Sequence, residues 1–287
     1  MSKDASFRIV TDNQIQQLDL SANPEEVDTL PVDHLKTPWR SRVMRSAPRE
    51  DLTITQRVLG NSPAKALVAD CFSIHNHNLA GADVYRIELF EGPNQSGSVA
   101  YDSSFQSASV LIPLGVWMCG VDAFGATYSD DLDKISTVWF EPVVYQSFRL
   151  TIKSHSNSRG YIQLGMLFLG KSLRFENNFS WGNELSWNTG LMLTRTEGGS
   201  LVTESQRPYA YRELTLDLEW LTDADRNSMA GKLRAAAGQP ILVAAYPTVG
   251  SDIRRTEYTM IAKLDTGNRY THQSINRHST QLRFLEV

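Results

Sequence analysis

The chain has 287 residues, of which 21% are charged, and a formal net charge of −4. This length holds two domains of ordinary size, and the slight acidity gives no electrostatic case for nucleic acid or an anionic membrane as partner. No apolar run approaches the ~18 residues that a membrane-spanning helix needs, and the opening MSKDASFRIV has no apolar signal core, so membrane insertion is not expected and synthesis in a cytoplasm is.

Residues 1–50 show little periodicity and carry Pro24, Pro31, Pro38 and Pro48, each of which biases the residue before it to extended backbone. They read as an extended arm lying on a body or a partner, with Trp39 and Arg40 as the candidate partner anchor. Residues 51–172 have the texture of an antiparallel β-domain. Runs at 52–56 and 67–74 are separated by Gly60, Asn61, Ser62 and Pro63. In 83–90, Tyr85, Ile87 and Leu89 alternate with Val84, Arg86 and Glu88.

In 148–153, Phe148, Leu150 and Ile152 alternate with Arg149, Thr151 and Lys153, which is a half-buried strand. In 162–169 both faces are apolar, which places a strand inside a sheet or between two domains. Many short strands without intervening helices indicate a sandwich or jelly roll.

Residues 173–287 restart as a second unit. The cleanest strand lies at 213–220, with Leu214, Leu216, Leu218 and Trp220 on one face. A helix over about 222–237 follows: Thr222 is its N-cap, Asp223 and Asp225 lie in its first turn, Met229 and Leu233 form its buried stripe, and Gly238 ends it. Further strands are expected at 240–246, 257–264 and 279–284. One helix against a small sheet makes this unit β-rich α+β.

The succession ADCFSIHNHNL (69–79), DVYRIELF (83–90), FRLTIK (148–153) and GYIQLGMLFLG (160–170) resembles the galactose-binding-like jelly roll of discoidin-type modules and bacteriophage tail proteins, over roughly residues 35–170. The strand, capped helix and strand of 214–246 are similar to the small β-rich domains of phage tail-tube and distal-tail proteins, over about 173–287. Together the resemblances imply a mainly β, non-enzymatic structural protein of a long-tailed phage tail tip or baseplate. It would sit in the virion, assemble as a homo-oligomeric ring around the tail axis, contact other tail proteins and contribute to host attachment. The alternative is a carbohydrate-binding adhesion module that meets a host surface glycan, and a third reading is a glycan hydrolase.

The candidate chemistry is sparse. Gly165 to Ser172 satisfies G-x-x-x-x-G-K-[ST], yet its intervening residues are large and apolar and no helical pattern follows, so a strand with a Gly-Lys exit is expected. His75 and His77 would share a side if their strand continued. They have no third ligand nearby, so no metal site is expected there, and they remain candidate sugar contacts together with Trp117. Residues 129–133 offer carboxylates for calcium but lack the glycine and terminal glutamate of a calcium loop. Cys71 and Cys119 have no CxxC spacing and read as small buried hydrophobes. No catalytic residue, cofactor site or metal site is assigned.

Overall fold

The structure, a computed structural model, describes residues 7–23, 26–49, 53–62, 65–80, 83–108, 118–119, 134–155, 159–205, 210–248, 252–265, 269–274 and 276–287. In chain order, β1 (Arg8–Val10) comes first, then β2 (Asp19–Asn23), β3 (Met44–Arg45), β4 (Ile54–Asn61), β5 (Leu67–His75) and β6 (Val84–Phe90). They are followed by β7 (Val99–Asp102), β8 (Gln106–Ser107), β9 (Ile135–Tyr145), β10 (Ser147–Ser154), β11 (Gln163–Leu164) and β12 (Met166–Gly170). One sheet of the first unit runs β2-β4-β10-β6-β7, with β8 also paired to β6, and the other runs β12-β5-β9. All these pairings are antiparallel. The two sheets enclose one core, to which Val58, Phe72, Ile87, Leu150, Leu167 and Leu169 contribute. This is the jelly-roll sandwich.

The second unit adds β13 (Ser172–Arg174), β14 (Glu184–Asn188), β15 (Leu191–Arg195), β16 (Leu201–Ser205), β17 (Tyr211–Leu221) and α1 (Asp223–Ala235). The chain ends with β18 (Ile241–Ala244), α2 (Asp252–Glu257), β19 (Thr259–Leu264), β20 (Thr271–Ser274) and β21 (Arg277–Glu286). Its main sheet runs β13-β1-β18-β19-β21-β17-β14, with β20 paired to β21. Thr222 caps α1 by accepting a hydrogen bond from the Asp225 backbone N–H, and Met229 and Leu233 are its buried residues. The short α2 was not legible because six residues are too few to show a helical period.

Residues 1–50, read from sequence as an arm, contribute strands to both bodies. β2 lies at the edge of the larger jelly-roll sheet. β1 sits between β13 and β18, pairing Ile9 with Leu173 and with Val243, so the second sheet is completed by chain that precedes the jelly roll. Three residues are too short to declare themselves by alternation, and both faces of β1 are buried.

The two bodies meet through strands that are apolar on both sides, as the run at 162–169 predicted. On β12, Leu167 and Leu169 face the jelly-roll core, whereas Met166 and Phe168 face outward and meet Val10, Leu242 and Ile261 of the second sheet. The neighbouring Ile9, Val243 and Met260 point the other way, into the second core. Strand alternation thus divides each run between two cores. The edge of β12 is closed by a side chain: Asn13 Nδ2 donates to Leu167 O at 2.9 Å, and Leu169 N donates to Asn13 Oδ1 at 3.2 Å.

Gly170 lies where β12 leaves this contact. A Cβ there would collide with the Asp12 carbonyl oxygen and sit 2.7 Å from Val10 Cγ1. Gly170→Ala is therefore expected to lower stability by about 1–3 kcal/mol through overpacking. Urea unfolding checks this, with Gly198→Ala as control because nothing lies within 4 Å of that position. Equal midpoints for the two variants would contradict the close packing.

Candidate functional site

The segment 165–172 is strand on both sides of Lys171, with β12 before it and β13 after it. No helix N-terminus follows Lys171, so the backbone presents no cluster of N–H groups to a phosphate. Instead, Ser172 donates to the buried Asp70 through both its N–H and its hydroxyl, each at 2.7 Å, and Arg174 lies 3.4 Å from the same carboxylate. Asp70 therefore stitches β5 to the start of the second unit.

His75 is the last residue of β5, and Asn76 then takes a left-handed conformation with φ of 52°, so the strand stops between the two histidines. His75 Nε2 is 2.9 Å from Ser73 Oγ, and His77 Nε2 is 2.9 Å from Ser136 Oγ. Their exposures are 6% and 5%, which leaves almost no ring surface for a sugar to touch. Burial pushes both down to about 3, aided at His75 by the charge of Arg212 and by His77, and at His77 by Lys134. Both rings are neutral at physiological pH. Among the described residues, no three His, Cys, Asp or Glu side chains converge as a metal site would require.

Trp117 and residues 129–133 lie outside the described residues. Cys71 is buried and Cys119 is exposed, so the second differs from the sequence expectation: it lies away from both cores. Arg40 reaches the end of the second unit, with Nε donating to Val287 O at 3.3 Å and Nη2 lying 3.8 Å from Glu286 Oε2. Trp39 beside it is 56% exposed, with the Arg42 guanidinium 4.2 Å from its ring centre. Arg40 thus anchors within the chain, and Trp39 presents an aromatic surface outward.

Two features were not singled out from the sequence. The first is the hairpin β15–β16, which pairs Leu193 with Thr203 and Arg195 with Leu201. Leu191, Met192, Leu193, Leu201 and Val202 are 49–61% exposed. Leu191, Leu193 and Leu201 fall on one face, and Met192 and Val202 on the other. Its residues alternate apolar and polar too weakly to be told from an irregular segment. The second is the buried Arg212, which donates to both carboxylate oxygens of Glu286 and to the carbonyls of Thr256 and Glu257.

No protein-family model matches the sequence, and no curated protein matches it. Solved structures do. One is a family 32 carbohydrate-binding module from a family 31 glycoside hydrolase of Clostridium perfringens, with a TM-score of 0.40 and 14% identity over 55% of this chain and 92% of that one. Another is the family 32 module of C. perfringens NanJ in complex with galactose, with a TM-score of 0.37 and 13% identity over 56% of this chain and 98% of that one. A third is chitosan-binding module 1 of a Paenibacillus sp. IK-5 chitosanase/glucanase, with a TM-score of 0.37 and 11% identity over 55% and 98% of the two chains. These are likenesses of fold alone. The jelly-roll assignment rests on the strand order of this chain.

Proposed function

We propose that this chain is a non-catalytic structural protein that assembles with copies of itself into a ring, as a component of a long-tailed phage tail tip. The observation that carries assembly is the hairpin β15–β16. A two-stranded hairpin is marginal in water by itself, and this one exposes leucine, methionine and valine on its two faces. A second copy that covers those side chains would remove their cost in water. The hairpin issues from β14, which ends the main sheet, and a neighbour that covers it with a different patch of its own makes a head-to-tail contact. Such contacts close into rings when the rotation permits. The placement in a virion, with other tail proteins as partners, is supported by the resemblance of 214–246 to tail-tube domains.

Mass photometry and negative-stain imaging test this. The full chain is expected to form closed rings, and Leu193→Asp combined with Leu201→Asp is expected to leave monomers with an unchanged unfolding midpoint. A wild-type monomer at high micromolar concentration that is also absent from purified virions would remove the proposal.

A second reading, a carbohydrate-binding module for host adhesion, is favoured by the exposed Trp39 ring backed by Arg42. Amphipathic rings of this kind supply flat apolar area beside polar groups. A glycan array that stays silent at high protein concentration would sink it.

A further inference from the structure

A crevice of about 670 Å³ opens between the side of the jelly roll and the chain that connects β18 to β19. Its volume falls in the ~300–1,000 Å³ range of small-ligand clefts. The jelly-roll wall includes Tyr101, Ser136, Thr137 and Trp139, and the opposite wall includes Thr248 and Thr256. Among the described residues that line it, six are Ser or Thr, none is a carboxylate, and Arg255 is the one that is charged. Hydroxyl groups both donate and accept, which suits a ligand whose periphery is itself hydroxyls.

The aromatic walls are held in place from behind. Tyr101 stacks on Phe140 with ring centres 4.0 Å apart and planes 15° apart, and the Arg8 guanidinium lies 4.9 Å from the Trp139 ring centre. Each ring has one face committed to the protein, and both rings line the crevice. Ser136 is likewise fixed, because it is bonded to His77 and donates to Ala108 O. Rigid supports of this kind lower the ordering cost of binding.

From these features we infer that the crevice binds a short oligosaccharide, with sugar rings against Tyr101 and Trp139 and sugar hydroxyls against the Ser and Thr side chains. The inference rests on the glycan-binding reading and is independent of ring assembly. The site requires both bodies, because its two walls come from different ones.

Saturation-transfer NMR on the full chain with cellotriose, maltotriose, chitotriose and galactobiose identifies a bound probe, and calorimetry with that probe measures Kd. Gln106→Trp places an indole at the crevice wall from an exposed position. It is expected to weaken binding at least tenfold with an unchanged unfolding midpoint, and Tyr101→Ala, which also removes the stack on Phe140, is expected to weaken binding at least as much. Should Tyr101→Ala fail to fold, Gln106→Trp alone decides. A probe that binds wild type and Gln106→Trp equally overturns the crevice and leaves the glycan-binding reading standing. No binding by any probe at millimolar concentration overturns both.

Discussion

Arg212→Ala is expected to lower stability by about 3–5 kcal/mol, the usual cost of removing one partner from a buried ion pair. Arg212 is 1% exposed, and it stands opposite Glu286 where the start of β17 meets the end of β21. Its backbone N–H donates to Glu286 Oε2 at 2.8 Å, its Nε donates to Oε1 at 3.0 Å, and its Nη1 donates to Glu257 O at 2.9 Å. Burial works against ionisation of Glu286, but the hydrogen bonds and charge of Arg212, with Arg40 behind, hold its carboxyl below the usual glutamate value. Without Arg212 that carboxylate is left in a dry site beside two carbonyls that have lost a donor. Thermal and urea unfolding measure the loss. The double variant Arg212→Met, Glu286→Leu is expected to recover most of it, since an apolar pair removes the desolvation cost of both charges. A loss below about 1 kcal/mol for Arg212→Ala would show that the pair is not the tie described.

The second large effect is acid sensitivity. His75 and His77 titrate near 3 in the folded protein and near 6.5 when unfolded, so below about pH 6.5 the unfolded chain binds more protons. Their contribution is complete above that pH and is lost progressively as pH falls toward 3. With both groups counted, stability is expected to drop by about 4 kcal/mol between pH 7 and pH 5. Such a loss is a large part of the ~5–15 kcal/mol that holds a typical domain. His77 Nδ1 has no hydrogen-bond partner among the described residues, so a proton there would place an unaccepted charge in the core. Urea midpoints measured across pH 7 to 5 test this, and His75→Gln with His77→Gln is expected to flatten the profile. A wild-type profile that is already flat would exclude neutral buried histidines as its cause.

Much of the architecture was legible because it depends on local alternation. Leu214, Leu216 and Leu218 show a half-buried strand by period alone, although Trp220, expected on the same face, is 48% exposed because the register shifts after Leu218, and Thr222 with Asp225 marks the start of α1 through hydrogen-bond chemistry that is local to one turn. The two-sided run at 162–169 also announced a strand buried on both faces, inside a sheet or between two domains, and the structure places it between the two bodies. The histidines illustrate the limit. Their spacing suggested a shared face, but the left-handed Asn76 ends the strand between them, and each ring finds a hydroxyl deep in the fold.

What the amino-acid order determined by itself is the β-rich class and the capped helix, since each follows from interactions among residues only a few positions apart. The tertiary structure alone decided that Ile9 completes a sheet with Val243, that Arg212 meets Glu286, and that a hydroxyl-lined crevice lies between Tyr101 and Thr256. Those pairs are far apart in sequence, and no local pattern encodes them. They exist because apolar faces must be covered and buried charges must find partners, and only the folded chain shows which distant residues meet those demands.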